Sequence, residues 1–125
     1  MDSSVMIYTI LFLLFLWIVI RNVSPVKGVK QITTPVLKSE LKSKGKQFID
    51  VRTPFEFRTK HIEGFKNIPL SILPQQTNQL SNDREIFVIC QSGMRSMKAS
   101  KILKKQGFKS VTNVKGGMNA WHEYR

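Results

Sequence analysis

Residues 5–20 read VMIYTILFLLFLWIVI, sixteen positions without a charge, a proline or a glycine. No polar stripe runs along the segment, so a helix built from it is apolar on every side. At about 1.5 Å per residue an eighteen-residue helix reaches roughly 27 Å, close to the ~30 Å hydrocarbon thickness of a bilayer. Tyr8 and Trp17 are available for the two interfaces. The pattern predicts a transmembrane anchor over residues 1–21. A cleaved signal peptide is the competing reading, and two features weigh against it. Asp2 and no Lys or Arg precede the run, and RNVSPVKG after it offers no small-residue cleavage site.

Residues 22–30 (NVSPVKGVK) lose the apolar pattern, contain Ser24-Pro25 and Gly28, and read as a basic juxtamembrane linker. From residue 31 to 125 short apolar runs alternate with helix-like segments. In TTPVLKSELKSKGKQ, Thr34 is placed to cap a helix with Pro35 at its first position and Gly45 near its end. FIDVR, residues 48–52, is a brief strand, PFEFRTKHIEG a short helix or turn stopping near Gly64, and NIPL extended chain. SILPQQTNQL, with Pro74 inside it, is read as one more short helix. EIFVIC is the clearest strand, apolar at successive positions as a strand buried on both faces must be. SMKASKILKKQGF turns Met97, Ile102 and Leu103 to one side and most of its lysines to the other, with Gly107 as its stop. SVTNV is a last strand, and KGGMNAWHEYR turns through two glycines into a closing helix.

Strands alternating with helices across short turns predict an α/β domain with a mainly parallel central sheet. In such sheets sites lie beyond the carboxyl ends of the strands, which is where Cys90 falls. With 125 residues, 42% of them hydrophobic, there is material for one compact domain and not for two.

Charge adds a second constraint. Twenty Lys and Arg against eight Asp and Glu leave a net charge of +12, which favours anionic partners. The cations are spread along the chain without a zinc-finger, homeodomain or RNA-recognition signature, so no nucleic-acid partner is expected. Arg21, Lys27 and Lys30 all follow the apolar run. The positive-inside rule then makes the protein a single-pass membrane protein with its C-terminal domain in the cytoplasm. A lone cysteine, unable to form an intrachain disulfide, fits that reducing space.

That cysteine opens CQSGMRS, residues 90–96. A buried, inert thiol filling a strand-to-helix turn is one reading of it. The other is chemical. Backbone N–H groups of the loop and of the first helical turn have no partners within the helix and can converge on an anion, and Gly93 lets the loop curl around it. Arg95 and the positive helix end favour the thiolate, the nucleophilic form. No G-x-S-x-G elbow supports serine hydrolysis, and one cysteine with two distant histidines, His61 and His122, gives no metal-ligand spacing.

Two further stretches lead beyond local chemistry. FIDVRTPFEFRTKHIEGFKNIP, residues 48–69, and VKGGMNAW, residues 114–121, accompany the loop in an order and spacing that resemble the single-domain rhodanese family of sulfurtransferases. The resemblance covers about residues 30–125 and leaves the anchor aside. It implies a rhodanese-like three-layer domain and transfer of sulfane sulfur from thiosulfate or another small anionic persulfide donor. The acceptor would be a thiol, free or on a protein, or cyanide, the sulfur passing through a Cys90 persulfide without a cofactor. By position, Gln91, Ser92, Gly93, Met94, Arg95 and Ser96 would cradle the persulfide, with Ser96 opening the helix. Asp50 and Arg52 would support the site, Arg52 and Glu56 forming a structural ion pair. His61, Gly64, Asn67 and Trp121 would be scaffold. From Cys90 to Arg95 the loop counts six residues, the sulfurtransferase length, whereas related cysteine phosphatases and arsenate reductases use a longer loop. Gln91 stands where many active members have a basic residue, and Phe65 where alanine is frequent. The alternative function is a non-catalytic interaction module of the same fold at a membrane.

Overall fold

The computed structural model describes residues 2–23 and 27–122. The apolar run forms α1, Ser3–Val23, a helix of 21 residues. Its large side chains from Val5 to Ile20 are solvent-exposed, with none packed into a protein core. It is long and apolar enough to cross a membrane.

The remaining elements follow in the order β1 (Val29–Ile32), α2 (Thr34–Glu40), β2 (Gln47–Asp50), α3 (Pro54–Thr59), β3 (Lys66–Asn67), α4 (Leu73–Gln76), β4 (Ile86–Ile89), α5 (Met94–Lys105) and β5 (Val111–Val114). Single 3-10 turns occupy Thr77–Gln79 and Gly117–Ala120. The five strands lie in the order β1-β5-β4-β2-β3, and every pairing is parallel. The α/β reading with a parallel sheet holds.

Alternation along the strands builds two apolar layers. Ile86, Val88 and Cys90 face one side with Val111 and the α5 residues Ala99 and Leu103, while Phe87, Ile89 and Val114 face the other with Leu37 of α2. β4 sits between β2 and β5 and is buried at all four positions. Its continuous apolar sequence is the consequence of being covered on both faces. The fully buried positions of α5 are Ser96, Ala99, Ser100 and Leu103, whereas Met97 and Ile102 are only partly buried. Small residues let the helix approach the sheet closely, and the Ser100 hydroxyl is satisfied by Ser96 O at 2.7 Å.

Several sequence-based expectations need correction. Val29 and Lys30, assigned to the linker, are the first half of β1, paired with Val111 and Thr112. Residues 24–26 of that linker lie outside the described residues. The cap of α2 is Thr33, not Thr34, and the helix stops at Glu40, before Gly45. The Thr34 hydroxyl instead donates to Ala120 O at 2.8 Å, tying α2 to the closing turn. That closing segment is a 3-10 turn over Gly117–Ala120 followed by extended chain at Trp121, and its final residues, 123–125, lie outside the described residues.

Candidate active site

Cys90 follows β4 at the carboxyl end of the sheet's middle strand, and it is fully buried. The chain must reverse there to send α5 back along the sheet. Gly93 makes the reversal as N-cap of α5, at φ 105°, a conformation that a side chain would strain. The turn brings the Gly93 N–H to 3.0 Å from Cys90 Sγ. The sulfur is 3.3 Å from Ser96 Oγ, which itself donates to Gly93 O at 3.1 Å. Ser96 was expected to open the helix. The helix begins at Met94, and Ser96 lies on the inward side of its first turn, which is how its hydroxyl reaches the thiol.

The two glycines before Trp121 explain why the loop keeps this shape. A Cβ on Gly117 would lie 2.2 Å from Cys90 O, so the 3-10 turn can press on the loop only because residue 117 has none. Pressed there, the Met118 N–H donates to Cys90 O at 2.8 Å and the Asn119 N–H to Gln91 O at 3.0 Å. The Gln91 side chain completes the clamp. Its Nε2 donates to Asn119 Oδ1 at 2.6 Å, and its Oε1 accepts from Arg52 Nη1 at 3.2 Å. The sequence pattern flagged the glycines but gave no sign of Asn119, whose part depends on a contact 28 residues away.

The expected Arg52–Glu56 pair does not form. Arg52 is buried against Asp50, with Nη2 at 2.8 Å from Oδ2 and Nε at 3.0 Å from Oδ1, and a further donation from Nη2 to Lys60 O at 2.6 Å. The Asp50 carboxylate also accepts the Arg52 backbone N–H at 3.0 Å, which folds the Arg52 side chain back toward the sheet. Asn67 pins both residues, donating from Nδ2 to Asp50 O and Arg52 O. Glu56 instead binds Arg95 in two parallel bonds, 2.7 Å and 2.9 Å long. It also closes a capping box with Thr53. The Arg95 hydrogen bonds hold the Glu56 carboxyl well below the usual range, at about 2, with the Thr53 bonds acting in the same direction. The guanidinium of Arg95 is raised by the same contact. Arg95 therefore links α5 to α3 across the mouth of the loop.

Beside the loop opens a pocket of about 280 Å³ lined by Arg52, Phe55, Glu56, Thr59, Lys60, Gln91 and Met118. Phe55, Met94 and Ser92 are exposed around it and beside the loop. The fold thus brings together Cys90, Gln91, Gly93, Arg95, Ser96, Asp50 and Arg52, and leaves the Met94 and Ser92 side chains outside. Of the expected scaffold residues, His61 is exposed and stacks on Phe57 at 3.9 Å between ring centroids. Gly64 makes a positive-φ turn, and Trp121 packs partly buried against the second apolar layer.

Comparison with known proteins gives the same answer from a different direction. The family model for the rhodanese-like domain matches residues 33–124. The uncharacterized protein YqhL of Bacillus subtilis is 44% identical over 75 residues, a match spanning 60% of each chain. The thiosulfate sulfurtransferase GlpE of Shewanella oneidensis is 33% identical over 94 residues, covering 75% of this chain and 93% of GlpE. A crystal structure of a rhodanese-like domain protein from Staphylococcus aureus superposes with a TM-score of 0.70 at 37% identity, covering 75% of this chain and 92% of that one. In sequence and in fold, this chain belongs to the rhodanese-like family, whose members similar to it include sulfurtransferases.

Proposed function

We propose that the protein is a sulfurtransferase that carries sulfane sulfur on Cys90 and is held at a membrane by α1, with residues 21–125 on the cytoplasmic side. The observation that carries this reading is the sulfur's own environment: Sγ ends a strand, accepts the Gly93 N–H at 3.0 Å and lies 3.3 Å from the Ser96 hydroxyl. Both groups can donate to a negatively charged sulfur, since the Ser96 O–H can turn from Gly93 O to Sγ.

The chemistry is two displacements at sulfur. The Cys90 thiolate attacks the outer sulfur of thiosulfate. An Sγ–S bond forms, the donor's S–S bond breaks, and sulfite leaves with the electron pair. An acceptor thiolate then attacks the outer sulfur of the persulfide, becoming a persulfide itself and returning Cys90 as thiolate. Cyanide can take the acceptor's place and leave as thiocyanate. Gly93 and Ser96 stabilise the charge on sulfur in both steps, Gln91 and Arg95 flank the loop with their side chains, and Ser92 and Met94, whose side chains are exposed, contribute to the cradle only through their backbone. Asp50 and Arg52 are positioning residues, acting through the Arg52–Gln91 bond. The pocket beside Gln91, with Lys60 on its wall, suits an anionic donor.

The full chain in detergent, given thiosulfate without acceptor, is expected to release one sulfite per chain. Adding a thiol makes the release continuous, and Cys90→Ser abolishes both. No sulfite above the Cys90→Ser background contradicts the enzymatic reading. The complete burial of Cys90 favours the second reading, a non-catalytic interaction module. That reading requires Cys90→Ser to leave cellular function intact.

A further inference from the structure

From Ile86 to His122 the chain carries Arg95, Lys98, Lys101, Lys104, Lys105, Lys109 and Lys115 and no carboxylate at all. Glu56 takes Arg95, and Asp83 takes Lys109 at 2.9 Å. Among the described residues none of the other five lysines has an ion-pair partner. Lys98, Lys101 and Lys105 are exposed and lie on the side of α5 opposite its buried Ser96, Ala99, Ser100 and Leu103. Lys98, Lys101 and Lys105, three and four positions apart, repel one another along the helix, and only the last-turn Lys104 and Lys105 are favoured by the helix dipole, so helix stability does not account for the row as a whole.

The position of the row points to its use. A Cβ on Gly28, the residue before β1, would lie 3.2 Å from Lys104 Cε, so the last turn of α5 sits beside the point where the chain enters the domain. Val29 follows Val23, the end of α1, by six positions, a reach of at most about 20 Å. That reach allows α5 to come within a Debye length of the headgroups, about 10 Å at ~0.1 M salt, where each lysine brought onto an anionic leaflet favours the docked state about fivefold.

We propose that the Lys98–Lys101–Lys105 face of α5, with Lys104 beside the tether, docks the domain onto the anionic leaflet from which α1 emerges. The inference rests on the membrane reading of α1. A lipid surface is favoured over a nucleic acid or an acidic protein because the tether, at most about 20 Å long, keeps the domain close to one leaflet whatever else is present. Docking through the Lys98–Lys105 part of α5 also leaves the pocket beside the loop open. The pocket is lined by α3, Lys60, Arg52, Gln91 and Met118, with no residue from α5.

The test uses the full chain in nanodiscs of phosphatidylcholine alone or with about one quarter phosphatidylglycerol. Acetylation of each lysine by acetic anhydride is followed by mass spectrometry, with Lys60 at the pocket and Lys66 on β3 as internal references. Lys98, Lys101 and Lys105 are expected to react at least about threefold more slowly in the anionic discs at ~0.1 M salt, and to recover at ~0.5 M. Equal rates in the two lipids, with the chain retained in the discs, overturn the docking. A chain that enters neither disc overturns the anchor reading, and the docking with it.

Discussion

Asp50 and Arg52 stand two positions apart at the end of β2 and are buried to the last few per cent. A buried cation is tolerable only with its partner present. Asp50→Asn should therefore cost about 3 kcal/mol or more in urea unfolding of the full chain in detergent, well beyond an exposed substitution. Glu56 and Arg95 make a pair of a different kind, roughly one-third exposed, worth about 1 kcal/mol or less after solvent screening. Because the Glu56 carboxyl is lowered from 4.5 to about 2 in the folded chain, its contribution is complete above pH 4.5 and disappears as pH falls toward 2. Glu56→Gln should accordingly be less stable than wild type at pH 7, with the difference shrinking between pH 4.5 and 2 in parallel urea titrations. The exchange of partners has a physical cause that spacing conceals. Arg52 precedes the Thr53 cap and so lies outside α3, where the four-residue neighbour relation to Glu56 does not operate. The true partner of Glu56 is 39 residues distant.

Among the elements, those covered on both faces were the most legible. β4 announces itself as an apolar run because it is buried by neighbours on either side, whereas β2, QFID, buries the polar Gln47 and Asp50 and shows only a short apolar pair. β1 does not announce itself, since an edge strand with one partner and two exposed central residues, Lys30 and Gln31, has the look of a tether. The loop's curl was legible through Gly93. The turn that braces it was visible only as two glycines, because a close approach between Gly117 and Cys90 is a property of the packed chain. Gly117→Ala tests that brace. With φ at 56° and a carbonyl 2.2 Å from the new Cβ, the turn must retreat and its bonds to Cys90 O and Gln91 O must lengthen. The expected loss is on the order of 2 kcal/mol in stability, together with a fall in sulfite release larger than the unfolded fraction explains.

At the scale of the whole molecule, an apolar helix without a polar face joins a strongly basic rhodanese-like domain through a few residues. If α1 is an anchor with the flanking cations inside, a C-terminal tag on intact cells should be inaccessible until the membrane is permeabilised. A tag accessible from outside contradicts that orientation. The central claim concerns one atom, and its most direct test is the intact mass of the full chain after exposure to thiosulfate or a low-molecular-weight persulfide and removal of excess donor. A gain of one sulfur atom, reversed by a thiol and absent in Cys90→Ser, is the predicted result. A wild-type mass that none of these donors changes, or a gain that persists in Cys90→Ser, would contradict it.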